Sequence, residues 1–173
     1  MTQTPLSLQA INDFDQWTFV KTLGFVFEGS PWIAAAAWGE RPWSSIDALH
    51  RSMCAVMYFA TLEQKLALIR AHPDLAGRAA QAGSLTPSST QEQASAGLDR
   101  LTPEEIAQFN DLNARYQERF GFPFVICVRE NRKASILAGF QARLNNTRQD
   151  EVTTALNEIA KIARLRLHDA ITS

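Results

Sequence analysis

Residues 102–121, TPEEIAQFNDLNARYQERFG, decide the fold class, because both ends of this segment carry the signals of one long helix. Thr102 predicts the N-cap, Pro103 fits the first helical position, and Glu105 completes a capping box with Thr102. Gly121 marks the expected stop, since glycine readily adopts the backbone conformation that ends a helix. The segment therefore predicts an α-helix that runs to residue 120.

Helical patterns continue on both sides of this segment. Residues 61–71 open with a Thr-x-x-Gln capping pattern and end at His72-Pro73, where the proline disfavours further helix. Other helices are predicted over residues 13–27, 33–38, 45–61, 133–144 and 150–169, with a short helix and an exposed loop over residues 77–89.

One stretch, residues 122–128 with the sequence FPFVICV, is typical of a strand. It has no evident pairing partner, and Pro123 lacks the N–H that a central strand needs. We therefore expect an extended segment threaded between helices, in an all-α, single-domain, multi-helix bundle. The 173 residues suit one domain over residues 1–173, and residues 1–12 are expected to be loosely ordered.

Composition excludes several classes of protein. Lys and Arg total 17 against 18 for Asp and Glu, and this balance argues against a protein that binds duplex nucleic acid. The longest apolar run, residues 53–60, is far shorter than the roughly 20 residues of a membrane span. No secretory signal or C-terminal targeting tripeptide is evident, and Cys54 and Cys127 fit core packing in a reducing compartment. We therefore expect a cytoplasmic protein that binds neither nucleic acid nor membrane.

His72 is the candidate for proton transfer among the three histidines. It follows a predicted helix end, and Pro73 restricts its backbone, so that its side chain starts from a fixed base. The alternative is a histidine that only complements the helix dipole, which is also the expectation for His168. His50 lies in an apolar helix and is expected to be a packed or surface residue.

Ser89 and Glu92 allow two compatible interpretations. The spacing Ser89-x-x-Glu92 is that of a capping box opening a helix toward Leu98. A helix N-terminus also offers N–H groups and positive potential to an anionic ligand, so Ser89, Glu92 and Gln93 could border a pocket.

Arg166 is the unusual residue of the last predicted helix. On a helical wheel with about 100° per residue, it lies in the centre of an apolar stripe, whereas Arg164 points sideways. An arginine aimed into a core needs an anionic partner, because an unpaired buried charge is costly. Two alternatives stay open, a side chain that reaches water at a frayed helix end and an arginine that binds a carboxylate.

The sequence contains no glycine-rich phosphate loop, no H-E-x-x-H and no G-x-S-x-G. His72 and Asp74 could supply two metal ligands, but no third ligand is evident. A site without metal or cofactor, built from histidine, glutamate and arginine, is the remaining expectation.

Several longer motifs resemble those of one family. They are AHPDLAG (71–77), STQEQA (89–94), AGL (96–98), FGFPFVIC (120–127) and the pattern of the last helix from Glu151 to Leu167. Together they resemble the family of 2-oxo-4-hydroxy-4-carboxy-5-ureidoimidazoline (OHCU) decarboxylase over nearly the whole chain. The resemblance implies an all-helical, cofactor-independent enzyme that is commonly a homodimer.

The resemblance also implies roles for particular residues. His72 matches the catalytic histidine, Glu92 the acidic catalytic residue, and Arg166, preferred over Arg164, the catalytic arginine. The implied substrate contacts are Pro73, then Ser89, Thr90, Gln91, Glu92 and Gln93, and then Phe124, Val125, Ile126, Cys127 and Val128.

The implied reaction is the decarboxylation of OHCU to (S)-allantoin, the last step of urate oxidation in purine catabolism. His72 would transfer the proton, Glu92 would bind ring or ureido N–H groups, and Arg166 would attract the anionic substrate. Two alternatives are a helical protein that binds a purine-like metabolite without turnover and a purely structural interaction module.

Overall fold

The structure, a computed structural model, describes residues 6–172. Helices dominate this part of the chain and confirm the all-α prediction. In chain order the helices are α1 (Leu8–Asp13), α2 (Gln16–Leu23), α3 (Trp32–Ala37), α4 (Ile46–Phe59), α5 (Leu62–Ala71), α6 (Arg78–Gln81), α7 (Pro87–Ser95), α8 (Pro103–Phe120), α9 (Lys133–Arg143) and α10 (Arg148–Ala170). A two-residue parallel pair, β1 (Leu6–Ser7) with β2 (Ile171–Thr172), joins the two ends of the described chain.

The long helix α8 has the predicted ends. The Thr102 hydroxyl accepts from the Glu105 N–H at 3.2 Å, and the Glu105 carboxylate accepts from the Thr102 N–H at 2.9 Å. Gly121 ends the helix in the left-handed conformation with φ 76°. The predicted capping box, first-turn proline and glycine stop are all confirmed.

The predicted start of α7 is wrong. Thr86 is the N-cap, Pro87 is the first helical residue, and the Thr86 hydroxyl accepts from the Ser89 N–H at 3.2 Å. Ser89 therefore lies inside the first turn and does not open a capping box with Glu92. The Thr-Pro pair takes precedence because proline is best tolerated at the first helical position, where its missing N–H costs nothing.

The helix predicted over residues 13–27 is present as α2, but it is shorter at both ends. Asp15 caps a new helix, α2, by accepting from the Thr18 N–H at 2.7 Å, and Gly24–Val26 form a 3-10 turn after it. Residues 6–12, expected to be loosely ordered, instead form β1 and most of α1. The Ile11 side chain is fully buried and attaches α1 to the core. Residues 1–5 of that expectation lie outside the described residues.

The described residues form two compact units. One comprises the described residues up to 71 together with those from 160 onward, and the other comprises His72–Ile159. In the first unit α3 packs against α2 and α4, and Phe19 stacks on Trp43 with 5.4 Å between ring centroids.

Aromatic rings build the core of the second unit. Phe124 stacks on Phe140 with 3.8 Å between centroids, and Tyr116 meets Phe124 edge to face at 5.3 Å. Residues 123–127 are neither helix nor strand. Contacts from side chains therefore hold this segment, because it has no ladder of backbone hydrogen bonds.

The apolar stripe predicted for the last helix is buried along α10. Ile159, Ala163 and Leu167 are almost completely buried, and Arg166 is buried with them. None of the helices in residues 6–172 is both long and apolar enough to span a membrane.

Candidate active site

His72 begins the loop that follows α5. It lies directly after the last helical residue, as predicted, and is 8% exposed. Two side chains from other helices hold this loop by its backbone. The Gln93 amide oxygen accepts from the Ala76 N–H at 3.0 Å, and the Asn113 amide donates to the Leu75 carbonyl at 2.9 Å. The base of the His72 side chain is therefore fixed by α7 and α8.

The same loop makes a tight turn. Ala76 adopts a positive φ of 51°, which is unusual for a residue with a side chain. A Cβ atom on Gly77 would lie 2.7 Å from the Cβ atom of Asp74, closer than real Cβ contacts allow. The glycine of the HPDLAG motif is therefore required by this close approach.

The segment Ser89–Gln93 lies on α7 with its residues on different faces. Ser89 and Gln93 are buried, Glu92 is half-buried, and Thr90 and Gln91 are exposed. Gln93 faces inward and contacts the His72 loop. The two inward residues are four positions apart, which places them on one helix face.

The backbone of residues 124–128 is partly used by the protein itself. The Val125 carbonyl accepts from Arg143 at 2.7 Å, and the Cys127 N–H donates to Glu158 at 2.9 Å. The Cys127 carbonyl accepts from the Asn131 side chain at 2.9 Å. Within residues 6–172, the N–H and C=O of Ile126 have no hydrogen-bond partner, and Ile126 is half-buried. The peptide groups of Ile126 are therefore the ones that this segment can offer to a ligand.

Carboxylates gather around the thiol of Cys127. Burial raises the pKa of Cys127 to about 11, and the negative charges of Glu130, Glu158 and Glu92 add to that shift. The thiol is therefore protonated near neutral pH and is no nucleophile. Helix α7, which carries Glu92, packs against the 3-10 turn Val128–Glu130 at the end of this segment.

The second unit thus brings together three predicted parts of the site: the His72 loop, the Ser89–Gln93 segment and residues 124–128. Its polar groups include a histidine, a half-buried carboxylate and unpaired peptide groups. This set can transfer a proton and can bind a flat, polar ring through hydrogen bonds. Across the described residues, no group of three or more His, Cys, Asp or Glu is placed to hold a metal ion.

Arg166 belongs to the first unit and points inward, as its position on the helical wheel predicts. Its Nη1 donates to Glu28 Oε2 at 2.8 Å and to the Phe25 carbonyl at 3.1 Å. Both side chains of this ion pair are buried, with 3% of Arg166 and 5% of Glu28 exposed. Arg164 lies at the surface and pairs with Asp47 at 3.1 Å. The alternative in which Arg166 reaches water at a frayed helix end is therefore wrong.

The other two histidines have structural partners. His50 Nε2 lies 2.7 Å from the Ala160 carbonyl, and burial is the main cause that lowers its pKa. His168 pairs with Asp47 at 3.2 Å. His50 is packed or half-buried, as predicted, whereas the pairing of His168 with Asp47 was not predicted.

Several partners of the predicted residues were not themselves predicted from the sequence. Glu28 partners Arg166 although it lies 138 residues away, and Asn113, Arg143 and Glu158 hold the two binding segments. Glu158 belongs to the family-like pattern of the last helix, but that pattern did not indicate a role for it. Nothing local in the sequence marks Glu28.

The fold and this arrangement define an all-helical protein whose site can perform acid–base chemistry. The sequence matches the OHCU decarboxylase family over residues 12–168, so the chain belongs to that family. This confirms the family that the sequence motifs resemble.

Individual relatives match over most of their length. An OHCU decarboxylase of Halalkalicoccus jeotgali is 42% identical over 96% of this chain and 92% of the relative. One of Haloferax volcanii is 41% identical over 97% of this chain and 98% of the relative. The crystal structure of an (S)-allantoin synthase superposes with a TM-score of 0.78 at 28% identity, covering 98% of this chain and 55% of that longer one.

Proposed function

We propose that this chain catalyses the decarboxylation of OHCU to (S)-allantoin, the last step of urate oxidation, without a cofactor. One observation carries the proposal: α7 contacts the His72 loop through Gln93 and packs against the 3-10 turn Val128–Glu130, in which residues 124–128 end. These are the segments in which the resemblance to the family is most specific. The names of the relatives, OHCU decarboxylase and (S)-allantoin synthase, support the substrate and the stereochemistry.

His72 is the proposed proton-transfer residue. When the bond to the carboxylate breaks, carbon dioxide leaves and the electron pair stays on the ring carbon, where the adjacent ring carbonyl or imine delocalises it. The imine nitrogen takes up a proton from solvent as the electron pair reaches it, which leaves an enol. His72 hydrogen-bonds the hydroxyl and accepts its proton as the C–OH becomes the ring carbonyl of allantoin, and it delivers that proton to one face of the adjacent, ureido-bearing carbon, which fixes the configuration of the product. Its burial and its fixed backbone support this role, because a side chain held in one place favours one face.

Glu92 and the peptide groups of Ile126 are the groups proposed to bind the ring and its ureido group through hydrogen bonds. The half-buried carboxylate of Glu92 accepts N–H donors and assists proton placement. The N–H of Ile126 is a donor and its C=O is an acceptor, and neither is hydrogen-bonded to a residue within 6–172. Pro73, Ser89, Thr90, Gln91, Gln93, Phe124, Val125, Cys127 and Val128 complete the proposed substrate-binding set.

Arg166 is the proposed residue that orients the substrate carboxylate. Guanidinium binds carboxylates with a defined geometry, and the buried contact with Glu28 restricts its rotation. An inward arginine suits a small anion, in keeping with a formal net charge of -1 for the chain.

The assembly and location of the protein are part of the proposal. We propose that the whole chain acts as one functional domain, in the cytoplasm, as a homodimer. The exposed side chains of Phe59 and Leu62, 91% and 58% accessible, are the proposed contacts of that dimer. Sedimentation equilibrium at several protein concentrations tests the dimer, and a monomer at every concentration would contradict it.

The decisive experiment generates OHCU in place from urate with the two preceding activities. Circular dichroism then follows the appearance of (S)-allantoin with and without this protein. We expect faster formation of one enantiomer. A racemic product that forms at the spontaneous rate would refute the proposed activity, including the case in which the protein binds allantoin without turnover.

Matched variants test the role of His72. We expect H72N to lower kcat by about 100-fold or more, the usual contribution of general acid–base catalysis. The control is H168N, which removes a surface histidine paired with Asp47 and is expected to keep wild-type turnover. Near-wild-type kcat in folded H72N would exclude His72 as the proton-transfer residue.

A further inference from the structure

A buried polar cluster lies beneath the proposed binding segment 124–128 and has no role in the mechanism above. Glu151 is fully buried and accepts from the Tyr116 hydroxyl and from Arg143 Nε, each at 2.5 Å. Asn146 donates to its second oxygen at 2.9 Å. The cluster therefore joins α8, α9 and α10 around one carboxylate.

Arg143 connects this cluster to the binding segment. Its Nη1 donates to the Val125 carbonyl at 2.7 Å, and its guanidinium lies over the Phe124 ring at 4.3 Å from the centroid. Phe124 also stacks on Phe140. Two consecutive residues of the segment, one by its backbone and one by its ring, are thus fixed by a single side chain.

Stability alone does not account for the cluster. Replacing a buried ion pair by apolar side chains of similar volume is often neutral or stabilising, so such a pair is weak evidence for a purely structural role. What apolar side chains cannot do is hold a carbonyl group in one direction. Residues 123–127 have no backbone ladder to set that direction.

Ile126 lies between two such anchors. Arg143 binds the carbonyl before it, on Val125, and Glu158 binds the N–H after it, on Cys127. The two contacts fix the peptide planes on both sides of Ile126, whose own N–H and C=O stay unpaired within the described chain. Such a pair of anchors presents one donor and one acceptor in a set orientation.

We propose that Arg143, held by Glu151, is a positioning residue that orients the Ile126 peptide groups toward the substrate. The inference rests on the proposed function, since it assigns those groups to the ring of OHCU or allantoin. It implies that loss of Arg143 weakens substrate and product binding more than it slows the chemical step, because the loop that begins at His72 is anchored separately, at Ala76 by Gln93 and at Leu75 by Asn113.

The first test compares R143K with R148K. Lysine keeps the positive charge beside Glu151 but lacks the fork that reaches Glu151 and Val125 together. Arg148 is the matched control, because it also donates to a backbone carbonyl, that of Phe120, and lies over an aromatic ring, that of Phe122. We expect R143K to raise KM and the Kd of (S)-allantoin by about tenfold, which corresponds to about 1.4 kcal/mol, with a smaller change in kcat. R148K is expected to keep both constants.

Wild-type KM and Kd in folded R143K, or equal shifts in R148K, would overturn the inference. The triple variant Y116F, R143M and E151L covers the case in which R143K does not fold, since it leaves no charge of the pair buried alone. We expect it to fold and to show the same rise in KM and Kd; wild-type values would overturn the inference.

A measurement on the wild-type protein is independent of folding in any variant. Hydrogen exchange of the Ile126 amide is expected to slow when (S)-allantoin saturates the protein, and unchanged exchange would overturn the inference. The failure of the proposed function is a different result. The proposed function fails if the wild-type protein does not accelerate (S)-allantoin formation, whereas the inference about Arg143 can fail when the wild-type protein is fully active.

Discussion

The buried pair Arg166–Glu28 provides a sharp test of how burial controls the strength of an ion pair on α10. The two side chains are 3% and 5% exposed and lie 2.8 Å apart. E28Q leaves the Arg166 charge without its carboxylate, and breaking a buried pair in this way costs about 3–5 kcal/mol. We therefore expect the free energy of unfolding to fall by about 3 kcal/mol or more in E28Q.

The same helix offers the control, two residues away. Arg164 pairs with Asp47 at 3.1 Å, but the side chains are 52% and 47% exposed. Water screens such a pair, so D47N is expected to leave the free energy of unfolding almost unchanged. Both variants change one carboxylate to an amide, and they differ in burial.

Urea unfolding monitored by circular dichroism at pH about 8, where histidine is neutral, separates the two variants. With a slope of about 2 kcal/mol per M, E28Q should shift the midpoint down by about 1.5 M, whereas D47N should shift it by less than about 0.5 M. Equal shifts in the two variants would refute the reasoning from burial. The double variant E28L with R166M should lose less stability than E28Q, because it leaves no unpaired buried charge.

Three further predictions concern the loop, the long helix and pH. G77A should destabilise the protein by about 1–3 kcal/mol in urea unfolding, because its Cβ would lie 2.7 Å from that of Asp74, whereas G39A, with no atom within 4 Å, should be neutral. T102A should cost about 1 kcal/mol in the same assay through loss of the α8 cap, and T102S should restore it. Burial lowers the pKa of His50 below its ordinary 6.5, so the unfolded state binds more protons and stability should fall as pH drops below about 6.5. In H50Q the free energy of unfolding should depend less on pH between about pH 7.5 and about pH 5.5. An unchanged slope would show that other groups cause the pH dependence.

Local signals in the sequence predicted the elements that depend on neighbouring residues. The capping box at Thr102, the end of α5 before His72 and the inward direction of Arg166 all follow from contacts or angles within a few residues. Where two local signals competed, the sequence misled. Ser89-x-x-Glu92 has the spacing of a capping box, but Thr86-Pro87 three residues earlier starts α7, and Ser89 is buried within its first turn.

Local patterns in the sequence could not identify the partners of the site residues. The sequence requires an anion for Arg166 but does not identify Glu28, which lies 138 residues away. The sequence likewise predicts Gln93 to be a substrate contact. In the structure the Gln93 amide oxygen accepts from the loop that carries His72, a contact that the sequence did not predict. A partner of this kind depends on how helices pack, since packing brings together residues that share no local pattern.

The sequence by itself determined the helical class, the ends of α8, the position of His72 and the family, because each of these depends on short-range hydrogen bonding or on a motif of adjacent residues. The tertiary structure alone decided which carboxylate neutralises Arg166 and how residues 123–127 are held without a strand partner. It also decided that Ile126 keeps its peptide groups unpaired among the described residues while Arg143 and Glu158 take those of its neighbours. The physical reason is that a buried charge or peptide group must find its partner wherever packing places one, and the order of residues along the chain does not record that placement.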